Sequence, residues 1–140
     1  MNSDTFPILL VEDDSNDVLL LQRAFRRANV ECPLHVVTNG DDAVDYLTGG
    51  GEFADRAAHP FPALMLLDLK LPRRSGLEVL SWLREQPPEI SCLPVIVLTS
   101  SRLTSDVDQA YAFGATSYMA KPEGNFDGLA EVVKTLDRRR

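Results

Sequence analysis

Ala63-Leu64-Met65-Leu66-Leu67-Asp68-Leu69-Lys70-Leu71-Pro72 decides how the rest of the chain is read. This nearly unbroken apolar run delivers one carboxylate, Asp68, and meets a proline two residues after Lys70. A short apolar run closed by a turn signal is the pattern of a strand buried on both faces. Asp68 falls where that strand should end, and in open parallel sheets ligands bind at the carboxyl ends of strands. An aspartate at such a place can equally begin a loop or cap the next helix. This stretch alone leaves the two readings even.

The same kind of run recurs on both sides of it. Phe6 to Val11 is apolar and ends in Glu12-Asp13-Asp14. Leu34 to Thr38 is short and rich in β-branched residues. Leu93 to Thr99 ends in the hydroxyls Thr99, Ser100 and Ser101, and Thr116 to Ala120 is followed by Lys121-Pro122. Between these runs the apolar residues change to helical spacing. Val18, Leu21, Phe25 and Ala28 imply a helix from about Asn16 to Ala28, with Ser15 or Asn16 as its cap. Ala43, Val44 and Leu47 imply a short helix that Thr48-Gly49-Gly50-Gly51 ends. Glu52 to Pro62 turns polar and proline-bearing, as a surface excursion does. Leu77, Leu80 and Leu83 imply a third helix, stopped by Pro87-Pro88. Val107, Ala110, Tyr111 and Phe113 imply a fourth, capped by Thr104 or Ser105 and stopped by Gly114. The last, Phe126 to Leu136, should bury Leu129, Val132, Val133 and Leu136. Five β-α units with continuous apolar strands predict an α/β, doubly wound parallel sheet with helices on both faces, in the order 2-1-3-4-5.

Composition narrows the function. The chain has 140 residues, one domain's worth, with 44% hydrophobic and 25% charged residues, which argues against wholesale disorder. Its formal charge of −7 disfavours a nucleic-acid-binding face, which needs a basic surface. No apolar stretch approaches membrane-spanning length, and Met1-Asn2-Ser3-Asp4 lacks the order of a signal peptide. The expectation is a cytoplasmic protein. Cys32 and Cys92 have no metal-type spacing and are expected as reduced thiols lining the core.

The carboxyl ends of the predicted strands present Glu12, Asp13 and Asp14; Asp68; Thr99 and Ser100; and Lys121. Acids, a hydroxyl and a lysine together suit a divalent cation and a phosphoryl group. Magnesium is typically held by one or two carboxylates, which Asp13 and Asp68 can supply, plus waters and phosphate oxygens. Lysine meets phosphate as a point charge, and a hydroxyl donates to another of its oxygens. Asp68 would be the nucleophile, since carboxylates carry acyl phosphates. Taken singly, the acidic run could simply favour a helix N-terminus, Thr99 could be an ordinary strand end and Lys121 an exposed lysine. Those separate explanations account poorly for their coincidence at the ends of the central strands.

Ile8-Leu9-Leu10-Val11-Glu12-Asp13-Asp14, Leu66-Leu67-Asp68-Leu69-Lys70-Leu71-Pro72 with Gly76, Val97-Leu98-Thr99-Ser100-Ser101, and Tyr118 before Lys121-Pro122 resemble the CheY-like receiver domain of bacterial response regulators. The resemblance spans essentially the whole chain. It implies that Asp68 is the phosphoacceptor and that Asp13 is a direct magnesium ligand, with Glu12 acting largely through water and the backbone carbonyl of Lys70 completing the protein's share. It makes Thr99 the switch hydroxyl, Lys121 the phosphate-pairing lysine with a cis peptide to Pro122, and Tyr118 the switch aromatic. It implies a sensor histidine kinase as donor, and a downstream protein target or a histidine phosphotransfer protein as receiver of the signal. Residues 1–140 are then expected to be one receiver with no output domain, a signalling protein and not an enzyme. The Leu-Asp-Leu-Lys-Leu-Pro form, the excursion at Glu52 to Pro62 and the Val-Leu-Thr-Ser-Ser end resemble stand-alone receivers of phytochrome-type kinases. Several of those dimerise through the face of the fourth helix, fifth strand and last helix; this chain ends in Asp137-Arg138-Arg139-Arg140, without the aromatics that some of them carry there. In the family, the residues two past the acceptor and two past the switch threonine tune hydrolysis. Here they are Lys70 and Ser101, neither an acid nor an amide, which implies a long-lived phosphorylated state.

Two other classes compete. A phosphatase or dehalogenase of the haloacid dehalogenase type also uses a carboxylate nucleophile, but its phosphatase members need an acid two residues further on, where this chain has Lys70. A flavin or nucleotide carrier shares the sheet order, yet no glycine-rich phosphate loop follows a strand, and Gly49 to Gly51 follow a helix.

Overall fold

A computed structural model describes residues 6–100, 104–121 and 125–139. Five strands, β1 (Ile8–Val11), β2 (Leu34–Val37), β3 (Leu64–Asp68), β4 (Val95–Thr99) and β5 (Ser117–Ala120), form one parallel sheet in the order β2-β1-β3-β4-β5. Every adjacent pair is parallel, with Ile8 opposite both Leu34 and Leu64, Met65 opposite Val95, and Thr99 opposite Ala120. The expected fold is therefore the observed one.

β1, β3 and β4 are buried along their whole length, because side chains alternate between two cores. Leu9, Val11, Met65, Leu67, Val95 and Val97 meet Ala43, Tyr46 and Leu47 of α2 (Gly40–Thr48) and Val79, Leu80 and Leu83 of α3 (Gly76–Arg84). Ile8, Leu10, Leu64, Leu66, Ile96 and Leu98 meet Leu21, Ala24 and Phe25 of α1 (Ser15–Arg27) and Leu129, Ala130 and Val133 of α6 (Asp127–Arg139). Each fully buried leucine or isoleucine contributes about 1.5–3 kcal/mol of transfer free energy. This double burial fixes the central strands and so fixes where their carboxyl ends lie.

Several local expectations need correction. Asp14, not Ser15 or Asn16, caps α1; its Oδ1 accepts from the N–H of Asn16 at 2.9 Å and of Asp17 at 3.4 Å. β2 stops at Val37, one residue before Thr38. α3 turns Gly76, Val79, Leu80 and Leu83 inward, the i, i+3, i+4, i+7 set, and leaves Leu77 on its flank, only partly buried. Pro87-Pro88 ends α3 but also opens a one-turn helix, α4 (Pro88–Ser91), since proline suits a first helical turn. On α5 (Thr104–Ala112) the small Ala110 faces the core, while Tyr111 on its flank and Phe113 just beyond it are exposed. On α6, Ala130 is buried in place of Val132 and Leu136, which are exposed. Neither cysteine is in a disulfide, but Cys92 is exposed and does not line the core.

The excursion after α2 is fastened to the fold. Gly49 ends α2 in the left-handed region (φ 72°). Arg56 then donates to the carbonyls of Tyr46 at 2.7 Å, Leu47 at 3.0 Å and His59 at 3.0 Å, meeting the last turn of the helix as a cation should. Phe53 is buried against Tyr46, whose hydroxyl donates to the carbonyl of Pro60. No described helix is long and apolar enough to cross a membrane.

Candidate functional site

The expected residues converge at the carboxyl edge of the sheet. β1 ends by delivering Glu12, which is 2% exposed, and then Asp13, which is exposed. β3 ends on Asp68, which is 5% exposed. Carboxylate oxygens of Glu12, Asp13 and Asp68 lie within 4.8 Å of one another. The acidic run thus divides: Asp14 serves the helix terminus, and Glu12 and Asp13 turn to Asp68.

Lys121, directly after β5, reaches across this edge. Its Nζ lies 2.9 Å from Asp68 Oδ2, 2.8 Å from Glu12 Oε1 and 2.8 Å from Asp17 Oδ2. Burial alone would lower the Lys121 pKa, but the hydrogen bonds to Asp17, Glu12 and Asp68 outweigh it and the ammonium is held charged. For Glu12 the balance goes the other way. Burial, helped by the neighbouring Asp68 charge, pushes its pKa up to about 7 despite the bond to Lys121. Asp68 Oδ1 accepts the backbone N–H of Lys70 at 3.2 Å, so the loop after β3 folds back over the Asp68 carboxylate while the Lys70 side chain stays exposed. Both oxygens of Asp68 are thereby oriented.

The loop after β3 also fits tightly against α3. Ser75 caps α3 in a capping box with Glu78. A Cβ added at Gly76 would lie 2.3 Å from the carbonyl oxygen of Asp68. Glycine at this position is thus a packing requirement of the end of β3.

Thr99 is fully buried at the end of β4, and its carbonyl accepts the Lys121 N–H at 2.9 Å. Tyr118 pairs with Val97 in register and packs, half-buried, against the α2–α3 core. Burial, and then the charge of Asp106, raises its pKa. Ser101 and the Lys121–Pro122 peptide, expected to be cis, lie outside the described residues.

Asp17 is the side chain at this edge that the sequence pattern does not single out. It occupies the third position of α1, and helical side chains lean toward the helix N-terminus, which here means toward the strand ends. An acid so placed, one turn after an acidic strand end, was the available signal.

Three clustered carboxylates against one ammonium leave excess negative charge. Hard oxygen donors in that state fit a divalent cation. The profile of the response regulator receiver domain matches residues 8–134. This chain belongs to that family. Receivers are signalling proteins that work with histidine kinases, and the acidic cluster of this one is a group of carboxylates that could hold a divalent ion.

The receiver is 36% identical over 136 residues to the probable methanogenesis regulatory protein FilR2 of Methanothrix harundinacea, covering 95% of this chain and 82% of that protein. It is 34% identical over 130 residues to the response regulator Rcp1 of Synechocystis, covering 93% and 85%. The structure of the Mn(2+)-bound form of Rcp1 aligns with a TM-score of 0.79 at 32% identity, over 94% of this chain and 91% of that one. RPA3017, a response regulator in red light signalling of R. palustris, aligns with a TM-score of 0.83 at 35% identity, over 94% and 90%. The receiver is similar to phytochrome response regulators as a group.

Proposed function

We propose that Asp68 accepts a phosphoryl group from a phosphohistidine of a sensor kinase. The observation that carries this reading is the placement of Asp68: buried, hydrogen-bonded through both oxygens, 2.9 Å from Lys121 and clustered with Glu12 and Asp13. A carboxylate oxygen of Asp68 forms the new P–O bond as the P–N bond breaks. The electron pair stays on the departing imidazole nitrogen. Glu12, Asp13, Asp68 and the backbone carbonyl of Lys70 would hold magnesium, which when bound neutralises charge on the transferring group. Lys121 pairs with one phosphoryl oxygen and the Thr99 hydroxyl donates to another. The added charge of roughly −1.5 to −2 then draws the ends of β4 and β5 toward Asp68, and Tyr118 follows. The receiver assists its own phosphorylation and dephosphorylation, and signals by its changed surface.

The likeness to the cyanobacterial phytochrome response regulator RcpA and to bacteriophytochrome response regulators favours a phytochrome-type kinase as the donor, and with it a cytoplasmic setting. The output is contact with a downstream protein or a histidine phosphotransfer protein. Exposed Tyr111 and Phe113 at α5, and Val132 and Leu136 on α6, support a homodimer through the face of α5, β5 and α6. Light scattering across a concentration series tests this, and a monomer throughout would remove it.

The central test is intact mass after incubation with magnesium and acetyl phosphate, for wild type and Asp68→Asn. Wild type gains one phosphoryl group and the variant gains none. No gain in wild type, or an equal gain in both, overturns the assignment.

A further inference from the structure

Lys121 carries three ammonium protons, and each has its own acceptor: Glu12, Asp17 and Asp68, at 2.8, 2.8 and 2.9 Å. Two of these acceptors, Glu12 and Asp68, belong to the carboxylate group that could hold a cation; Asp17 does not. An acid at the third position of a helix is ordinarily explained by the helix dipole, or by a capping box in which it takes the N–H of the capping residue. That second role is already filled here. The N–H of Asp14 donates to Glu12 Oε2 at 3.2 Å, and Asp17 Oδ2 turns to Lys121.

We infer that Asp17 is a positioning residue for phosphoryl acceptance, holding the Lys121 ammonium over Asp68 from outside that carboxylate group. This rests on Asp68 being the acceptor. When Asp68 forms its bond to phosphorus, one of its oxygens ceases to be a carboxylate partner for Lys121. Glu12 is likewise drawn on by whatever occupies the acidic group. Asp17 is the partner that neither event claims, so it keeps a long, flexible side chain aimed where the phosphoryl oxygens arrive. It also ties the end of β5 to the first turn of α1.

The test compares wild type, Asp17→Ala and Asp17→Asn in the full chain. Asparagine keeps an oxygen acceptor in the same place without the charge; alanine removes both. With acetyl phosphate and magnesium, Asp17→Ala should lower the maximal phosphorylation rate about tenfold, well inside what misplacement of a positioned group costs. The donor concentration at half-maximal rate should stay nearly unchanged, and Asp17→Asn should recover most of the rate. A second measurement needs no phosphodonor. Proton exchange of the Lys121 ammonium, followed by nitrogen-15 NMR, should quicken in Asp17→Ala and return toward wild type in Asp17→Asn. A wild-type rate in Asp17→Ala, an equal loss in both variants, or unchanged ammonium exchange overturns the positioning role. Wild type that gains no phosphoryl group overturns the reading of Asp68 instead, and the exchange measurement still shows whether Asp17 holds Lys121.

Discussion

The backbone N–H of Lys121 donates to the carbonyl of Thr99 at 2.9 Å, so the hydroxyl that ends β4 and the ammonium that follows β5 share one rung of the sheet. A backbone shift at either residue is carried to the other, which couples the two contacts proposed for the phosphoryl group. A shift there is passed to Tyr118, three residues earlier on β5 and opposite Val97.

Tyr118→Ala should then separate chemistry from readout. Asp68 keeps its partners, so the mass gain with acetyl phosphate persists at close to the wild-type rate. The phosphorylation-linked change in amide hydrogen exchange over α5 and β5 should largely disappear. Because Tyr118 is only half-buried, the loss of stability should be about 1–2 kcal/mol, within the usual range for single substitutions. An exchange pattern that changes as in wild type on phosphorylation would sink the idea.

Gly76 makes a second, purely steric prediction. With an added Cβ 2.3 Å from the Asp68 carbonyl oxygen and 2.6 Å from Leu69 Cα, backbone must move. Gly76→Ala should cost about 1–3 kcal/mol by overpacking, read from the urea midpoint. It should also slow phosphorylation, because the atom displaced belongs to the acceptor residue itself. A variant with wild-type stability would mean that α3 shifts away freely.

Much of this was legible in the sequence because double burial makes a loud pattern. The apolar runs of β1, β3 and β4 have no polar face, and their ends are punctuated by Glu12, Asp68 and Thr99. What was not legible depends on which flank of a helix meets the sheet. Leu77, Tyr111, Val132 and Leu136 are apolar and helically spaced, yet small neighbours such as Gly76, Ala110 and Ala130 allow closer approach and take the buried positions. Tyr46, fully buried, was missed because its hydroxyl suggests a surface, and its partner, the Pro60 carbonyl, lies in a segment read as an excursion. Asp17 was missed for a related reason. An acid in the first turn of a helix already has a sufficient local explanation, and only the position of Lys121 shows that it has another use.

His35 on β2 supplies one contribution to the pH dependence of stability, opposite in sign to that of Glu12, whose carboxyl is raised to about 7. Burial, and secondarily the field of His59, lowers its pKa below the ordinary value, and its Nε2 has no hydrogen-bond partner among the described residues. The folded state thus favours the neutral imidazole. The stability it contributes is present above the unfolded pKa of about 6.5 and is lost as pH falls through that value toward the lower folded pKa. Urea unfolding between about pH 7.5 and 5 should show wild type losing more stability than His35→Phe, which keeps a ring beside Tyr46 but cannot take a proton. Parallel losses in the two proteins would remove His35 as the cause.

Lys70 bears on how long the signal lasts. Its N–H is committed to Asp68 Oδ1 and its side chain is exposed beside the site. Water that attacks an acyl phosphate is helped by a group that accepts its proton or orients it, and a protonated lysine has donors but no acceptor. The phosphorylated receiver should accordingly lose its label slowly in the presence of magnesium. Lys70→Asn places an amide oxygen there and should shorten the lifetime by about tenfold, below the 10²–10⁴ typical of a fully positioned general base. The measurement is intact mass against time after the phosphodonor is removed. A wild-type label that vanishes quickly, or a variant lifetime equal to wild type, would show that another group governs the water.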